Sequence, residues 1–310
     1  MVGAMTTVRR CGVVVLAFAL ALAGPTSAIG GEPIDPNLGD QVLGTEGGVR
    51  YAADPDTYDG TSGFASPETG CGGPRWHLVG GGSASGGPAS DGWQAFDRPL
   101  DFDDADDTLD DGWLSGGYGP PGAADMTGYT MCLRDASVRY RFRDVVDAPS
   151  GLRSGSVGCG QANWHAASGS GAIATSGSWV NSSYPIDGDD VGDEPDDGWS
   201  SRVYDTVGGL GGFYVHVVCV RDQQVRYVQR DPIAIGSGAS VRRRVACQND
   251  EHVAGGGAKL SGPADEARLV STFPYDDGDP GAVPDDGWQL KAYNLTGSEK
   301  MLTAYAVCLT

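Results

Sequence analysis

The sequence predicts an all-β protein, and three observations support this fold class. After residue 28, apolar residues do not recur at helical spacing; short stretches rich in Val, Tyr, Thr and Trp lie between Gly, Pro, Asp and Ser instead. Glycine accounts for 50 of the 310 residues, well above ordinary usage. Aspartate far outnumbers glutamate, which disfavours helix. We therefore expect short strands joined by turns.

The first residues are typical of a targeting segment. Arg9 and Arg10 precede the apolar run "VVVLAFALALAG", and small residues end at Ala28. The run is too short for a membrane span, and Ile29 stands where a lipoprotein would need cysteine. We predict a signal peptide over 1–28, a flexible leader over 29–45, and a secreted protein without membrane insertion.

The cysteines after residue 28 indicate a triplicated chain. Cys71, Cys159 and Cys247 follow one another at intervals of 88 residues, and each has a second cysteine about 60 residues later. The repeat therefore favours one bridge per copy over the other possible pairings. The predicted disulfides are Cys71–Cys132, Cys159–Cys219 and Cys247–Cys308.

Other motifs follow the same period of ~88 residues. "VRY" opens each copy, glycine-rich strands such as "CGGPRWHLVGGG" follow the first cysteine, and "DDGW" precedes the closing strands "GYTMCL", "YVHVVCV" and "TAYAVCLT". Each copy offers about six short strands. The predicted repeats are 46–133, 134–220 and 221–310.

Two arrangements of these repeats remain open. In the first, they form a compact pseudo-threefold, β-prism-like body, and the N-terminal "VRY" strand pairs beside the C-terminal strand to remove free edges. In the second, three small β-sandwiches follow in tandem. Within either, the glycine triplets at 80–82 and 255–257 indicate a bulge or a close approach of strands.

The acidic loop before each "DDGW" has two interpretations. Carboxylates recur at fixed positions before the tryptophan, and such oxygen-rich loops suit Ca²⁺ in a secreted protein. Alternatively, the aspartates cap turns by accepting hydrogen bonds from nearby backbone N–H groups. The candidate calcium ligands are Asp101, Asp104, Asp110, Asp187, Asp190, Asp196, Asp276, Asp279 and Asp285.

Tryptophan and histidine also recur in register. Trp113, Trp199 and Trp288 are candidates for stacking on sugar rings, with packing in the core as the alternative. His77, His165 and His252 share one repeat position, so they either converge on a Zn²⁺ ion or occupy half-buried strand positions. His216 stands where the other copies have Tyr129 and Tyr305, which we interpret as packing.

Charge and motifs narrow the function. A net charge of −20 disfavours nucleic acid, because no basic patch is available to displace counterions from phosphate. Neither GxSxG nor HExxH occurs. Loops present in triplicate are typical of a non-enzymatic binding or structural module, for which a glycan or a cell-envelope component is the candidate partner. The alternative is a secreted, glycosidase-like hydrolase that uses a pair of carboxylates. We expect a monomer.

The third copy carries a family resemblance. Its segments "CQNDEHVAGGG", "FPYDDGDPGAVPDDGW" and "TAYAVC" resemble a Cys…GGG…DDGW…TAYAxC module of secreted actinobacterial proteins. The second copy departs from this pattern at "SGSG" and "YVHVVC", and the first at "GYTMC". The resemblance implies a secreted, non-catalytic surface or adhesion module and brings no catalytic residues with it.

Overall fold

All regular structure that we observe is β-strand, which confirms the predicted fold class. The structure is a computed structural model that describes residues 41–56, 63–87, 92–101, 109, 111–119, 125–145, 151–173, 177–188, 194–206, 212–277 and 283–310. The predicted signal peptide and most of the predicted leader lie outside these residues. Among the described residues there is no helix with the length and apolar character needed to cross a membrane.

Each repeat has the strand content that the sequence predicts. Strand β1 (Gln41–Glu46) comes first. Repeat 1 then contains β2 (Val49–Asp56), β3 (Phe64–Ala65), β4 (Glu68–Gly70), β5 (Trp76–Ser85), β6 (Trp93–Leu100), β7 (Gly112–Tyr118) and β8 (Met126–Arg134). Repeat 2 contains β9 (Ser137–Val145), β10 (Gly151–Gly158), β11 (His165–Ile173), β12 (Trp179–Ile186), β13 (Gly198–Asp205) and β14 (Phe213–Arg221). Repeat 3 contains β15 (Val225–Ile235), β16 (Ser240–Ala246), β17 (His252–Leu260), β18 (Ala267–Tyr275), β19 (Gly287–Asn294) and β20 (Lys300–Leu309).

The predicted leader ends too late in the sequence. Residues 41–46 form strand β1, which pairs with β2 in antiparallel register from Gln41↔Ala53 to Glu46↔Val49. This pairing covers the outer edge of β2, so the last residues of the predicted 29–45 leader belong to the sheet.

Every repeat builds the same two antiparallel groups. In one group the closing strand lies between the opening strand and the glycine-rich strand, as in β2-β8-β5, β9-β14-β11 and β15-β20-β17. In the other group the strand that follows "DDG" lies between its two neighbours, as in β10-β13-β12 and β16-β19-β18. Repeat 1 follows the same plan, with β7 between β6 and the short strands β3 and β4.

The repeats meet at three seams, each formed by a strand of one repeat and the glycine-rich strand of another. In seam 2–3, β12 pairs with β17 at Ser183↔Ala258. In seam 3–1, β18 pairs with β5 at Thr272↔Ser83. In seam 1–2, β6 lies against β11, and the Ser170 hydroxyl donates a hydrogen bond to a carbonyl of β6.

The predicted pairing of the N-terminal "VRY" strand with the C-terminal strand is wrong. β2 pairs with β8 and β1, whereas β20 pairs with β15 and β17. Each opening strand completes the sheet of its own repeat, so the first and third repeats meet through seam 3–1 instead. One apolar cluster contains Tyr51, Phe213 and Leu290, one from each repeat, which favours the compact arrangement over tandem sandwiches.

The three predicted disulfides are confirmed. Bonds join Cys71 to Cys132, Cys159 to Cys219 and Cys247 to Cys308, each within one repeat. In a chain-entropy estimate, closing a loop of this length stabilises a fold by roughly 4 kcal/mol. Three intramolecular disulfides are compatible with an extracellular location.

The tryptophans of the three "DDGW" motifs are core residues, which corrects the stacking hypothesis. Trp113, Trp199 and Trp288 are 1%, 0% and 1% exposed, so none presents a ring face to a ligand. Each indole packs on the central glycine of its own repeat's glycine-rich strand, at Gly81, Gly169 or Gly256. The packing interpretation therefore holds, and the close approach predicted for the glycine triplets is an indole lying on the strand.

Candidate functional site

The second aspartate of each "DDGW" motif joins the acidic loop to the disulfide. The backbone carbonyls of Asp111, Asp197 and Asp286 accept hydrogen bonds from the N–H groups of Cys71, Cys159 and Cys247 at 2.7, 2.7 and 2.9 Å. The side chain of Asp197 accepts from the Gly188 N–H at 2.7 Å, and that of Asp286 accepts from the Asp277 N–H. These contacts are the turn chemistry that the second interpretation of the loops predicts.

The first aspartate of the motif holds a histidine. Asp196 Oδ2 lies 2.7 Å from Nδ1 of His165, and Asp285 Oδ2 lies 2.9 Å from Nδ1 of His252. Each of these two rings is bound by an aspartate of its own repeat. His77, His165 and His252 form no metal-binding group among the described residues, so the zinc hypothesis is wrong.

The described candidate aspartates form no group of three ligand residues. Asp104, Asp110, Asp190 and Asp279 lie outside the described residues. Of the remaining candidates, Asp196 and Asp285 bind histidine, and Asp101, Asp187 and Asp276 belong to no group of three ligand residues that the structure describes. The one such group in the described chain is Cys247, Glu251 and Cys308, whose two cysteines form a disulfide. Calcium stays a prediction from the sequence.

Seam 1–2 departs from the pattern of the other two seams. In seam 3–1, Tyr129 stacks on Phe273 with ring centroids 5.5 Å apart, and in seam 2–3, Tyr305 stacks on Tyr184 at 5.9 Å. The corresponding residues in seam 1–2 are His216 on β14 and Arg98 on β6. An aromatic pair that stacks across two seams is therefore replaced by an imidazole and a guanidinium in the third.

Seam 1–2 also differs from the other seams at one position of the glycine-rich strand. A Cβ at Gly82 would lie 3.1 Å from the carbonyl carbon of Thr272, one at Gly257 would lie 2.9 Å from that of Ser183, and both would lie closer still to the oxygens. Repeat 2 has Ser170 at this position, within the "SGSG" departure. Because serine carries a Cβ, β6 cannot approach β11 as closely as β12 approaches β17. The Ser170 hydroxyl binds the Asp97 carbonyl instead.

An apolar cleft of about 410 Å³ opens at seam 1–2. Its volume falls in the range of about 300–1,000 Å³ that is usual for small-molecule sites. Phe142 is 59% exposed and Tyr214 is 36% exposed. At the position of Phe142, repeat 1 has Ala and repeat 3 has Gln; at the position of Tyr214, both have Thr. The lining residues are Phe96, Arg98, Leu109, Phe142, Ala172, Ile173, Tyr214 and His216.

Among the described residues that line the cleft, one is charged and one is a neutral imidazole. Burial, and secondarily the charge of Arg98, lower the pKa of His216 from 6.5 to about 4, so the ring is uncharged near neutral pH. Its Nδ1 is buried without a hydrogen-bond partner among the described residues. Arg98 is exposed, and its guanidinium makes no ion pair or hydrogen bond with the residues that the structure describes. The described lining includes no Asp or Glu.

The opposite face of β6 borders a second, much smaller pocket. It has room for about one water molecule, at about 10 Å³, and residues of all three repeats line it, including Asp97, Ser183 and Thr272. Asp97 is 5% exposed, and the Gln94 amide donates a hydrogen bond to it. Burial raises the pKa of Asp97 to about 8, although the polar side chains of Ser115 and Trp113 oppose the shift. The size of this pocket suits packing better than ligand binding.

The sequence pattern does not single out the cleft. Phe142, Tyr214 and Arg98 are not among the sequence-based candidates, and the packing interpretation of His216 leaves its unpartnered Nδ1 unforeseen. The available signal is the difference between copies: aromatic residues in repeat 2 where the others are small or polar, together with the serine in the glycine triplet. A threefold pattern emphasises residues that recur, whereas the cleft is formed by residues that do not.

The fold and the cleft define a disulfide-stabilised, all-β repeat protein with an apolar cleft at seam 1–2. A pocket of about 300 Å³ at seam 3–1 is more polar, since Arg242, Arg244 and Asp276 line it together with Tyr129 and Phe273. No family model matches the chain, and comparison with curated proteins finds no match. The resemblance to actinobacterial secreted modules therefore stays a prediction from the sequence.

Proposed function

We propose that this protein is a secreted, non-enzymatic binding module whose ligand occupies the cleft at seam 1–2. The observation that carries the proposal is the exposed pair Phe142 and Tyr214. Exposed aromatic rings around a concave apolar surface are typical of binding sites. The other two seams have an aromatic stack where this seam has Arg98 and His216.

The lining favours a small ligand with an apolar ring or face. Phe96, Leu109 and Ile173 form apolar walls, and Phe142 and Tyr214 offer rings on which a flat ligand can stack. A sugar ring can stack through its C–H face, so glycans remain a candidate class. The hydrolase alternative has no support in the described lining, because that lining contains no carboxylate.

A fluorescent probe tests the site directly. N-phenyl-1-naphthylamine is a neutral aromatic compound that becomes fluorescent in apolar surroundings. We expect saturable binding to the wild-type protein at one site. Phe142→Ala should weaken it about tenfold, which corresponds to about 1.4 kcal/mol. Tyr214→Thr, which installs the residue of the other repeats, should act in the same direction.

The matched control is Leu295→Ala, which removes an exposed apolar side chain, 37% exposed, from repeat 3. It should leave the affinity unchanged. All three substituted residues are partly exposed, so the variants should fold, and circular dichroism should verify this. Equal affinities in wild-type protein, Phe142→Ala and Leu295→Ala would remove the cleft as the binding site.

A further inference from the structure

We propose that the ligand of the cleft is a small organic anion, in which an aromatic or other apolar ring carries an acidic group that pairs with Arg98. This inference rests on the proposed binding function and adds the charge of the ligand to it.

Several other cations of this acidic chain, which has 41 acidic and 21 basic residues, pair with a carboxylate. Ion pairs of this kind are Arg153–Asp205, Arg226–Glu251, Arg244–Asp277 and Lys300–Glu266. Arg98 makes no such pair with the described residues, and it lines the apolar cleft instead.

The surroundings of Arg98 suit an anion. Apolar walls reduce the screening of charge by water, which strengthens an ion pair formed inside the cleft. A guanidinium can bind a carboxylate or sulfonate through two parallel hydrogen bonds. The described lining has no carboxylate that would compete for it.

His216 lies near Arg98 in the cleft wall and is 7% exposed. Its Nδ1 is buried and has no surface in the cleft, so this atom does not contact a ligand there. Because burial keeps the ring uncharged near neutral pH, Arg98 alone supplies charge from the described lining.

Two probes with the same ring system separate charge from shape. 8-Anilinonaphthalene-1-sulfonate is anionic, whereas N-phenyl-1-naphthylamine carries the same rings without the sulfonate. We expect the wild-type protein to bind the anionic probe more tightly. Arg98→Gln should lower the affinity for the anionic probe about tenfold and should change the affinity for the neutral probe less than about twofold. Added salt should lower the affinity for the anionic probe and leave the affinity for the neutral probe unchanged.

Arg230→Gln is the matched control, because it removes an exposed arginine from β15 in repeat 3. It should change neither affinity. If Arg98→Gln weakened both probes equally, or neither, the anionic ligand would be refuted while the binding function stood. If neither probe bound the wild-type protein, both proposals would fall.

Discussion

The indole of Trp288 lies directly on Gly256. A methyl group at residue 256 would fall 2.5 Å from Cδ1 of that indole and 2.6 Å from the carbonyl oxygen of Tyr305. Trp113 lies on Gly81 in the same way, since a methyl group at residue 81 would fall 2.5 Å from its Cδ1. The glycine triplet and the "DDGW" motif, 32 residues apart in repeats 1 and 3, are therefore the two sides of one contact.

Gly256→Ala should destabilise the protein, because a methyl group has no space between the indole and the strand. We expect a loss of roughly 1–3 kcal/mol in the free energy of unfolding, as is usual for overpacked cores. Chemical denaturation measures it. Gly236→Ala is the control, since the nearest atom to its new methyl group, Cβ of Ala239, lies 3.9 Å away. Similar losses in both variants would contradict this account of the contact.

Asp97 should make the protein less stable as the pH rises. Its pKa is about 8 in the folded protein, against 3.8 for an ordinary aspartate, so the folded chain holds the proton more strongly than the unfolded chain. The stability linked to this proton is fully present below about pH 3.8 and is lost as pH rises towards 8. Asp97→Asn cannot ionise, so its unfolding free energy relative to wild type should increase over that interval by an amount on the order of a few kcal/mol.

Denaturation at several pH values between about 4 and 8.5 measures this difference, and taking it relative to wild type cancels the other titrating groups. Asp231→Asn, at an exposed position of β15, is the matched control for replacing an aspartate by asparagine. A flat difference for Asp97→Asn would mean that this carboxyl group titrates normally.

His216 should make the protein less stable as the pH falls. Burial and Arg98 lower its pKa from 6.5 to about 4, so the unfolded chain binds the proton more strongly than the folded one. The stability linked to His216 should be fully present above about pH 6.5 and should be lost as the pH decreases towards 4. His216→Tyr, which installs the residue found in the other repeats, should flatten this part of the melting-temperature profile. An unchanged slope would place the acid sensitivity elsewhere.

Seam 1–2 should close when the pattern of the other seams is restored. Ser170→Gly removes the Cβ that keeps β6 away, and Arg98→Tyr with His216→Tyr restores an aromatic pair. We expect the triple variant to lose binding of N-phenyl-1-naphthylamine by about tenfold or more, because the stacked rings fill the cleft. Ser170→Gly alone should retain it. Undiminished binding by a folded triple variant would mean that the aromatic pair does not fill the cleft.

The covalent and periodic features are predictable from the sequence. Cysteines at one interval determine the disulfides, and Gly, Pro and Asp between short apolar stretches determine the strand count, because both depend on local or repeated chemistry. The meeting of β18 with β5 is not predictable, since it depends on a close approach at Gly82 that only the folded chain shows. The burial of Trp288 and the exposure of Phe142 likewise depend on which neighbours the fold supplies.

Because the three seams differ, they can have different roles, which is not possible in a protein with a single copy of the repeat. Two seams are joined by backbone pairing and stacked rings, so substitutions at seam 1–2 should be tolerated without loss of the fold. Related chains of this architecture should therefore vary most at residues equivalent to Arg98, Phe142 and Tyr214, and their ligands should differ accordingly.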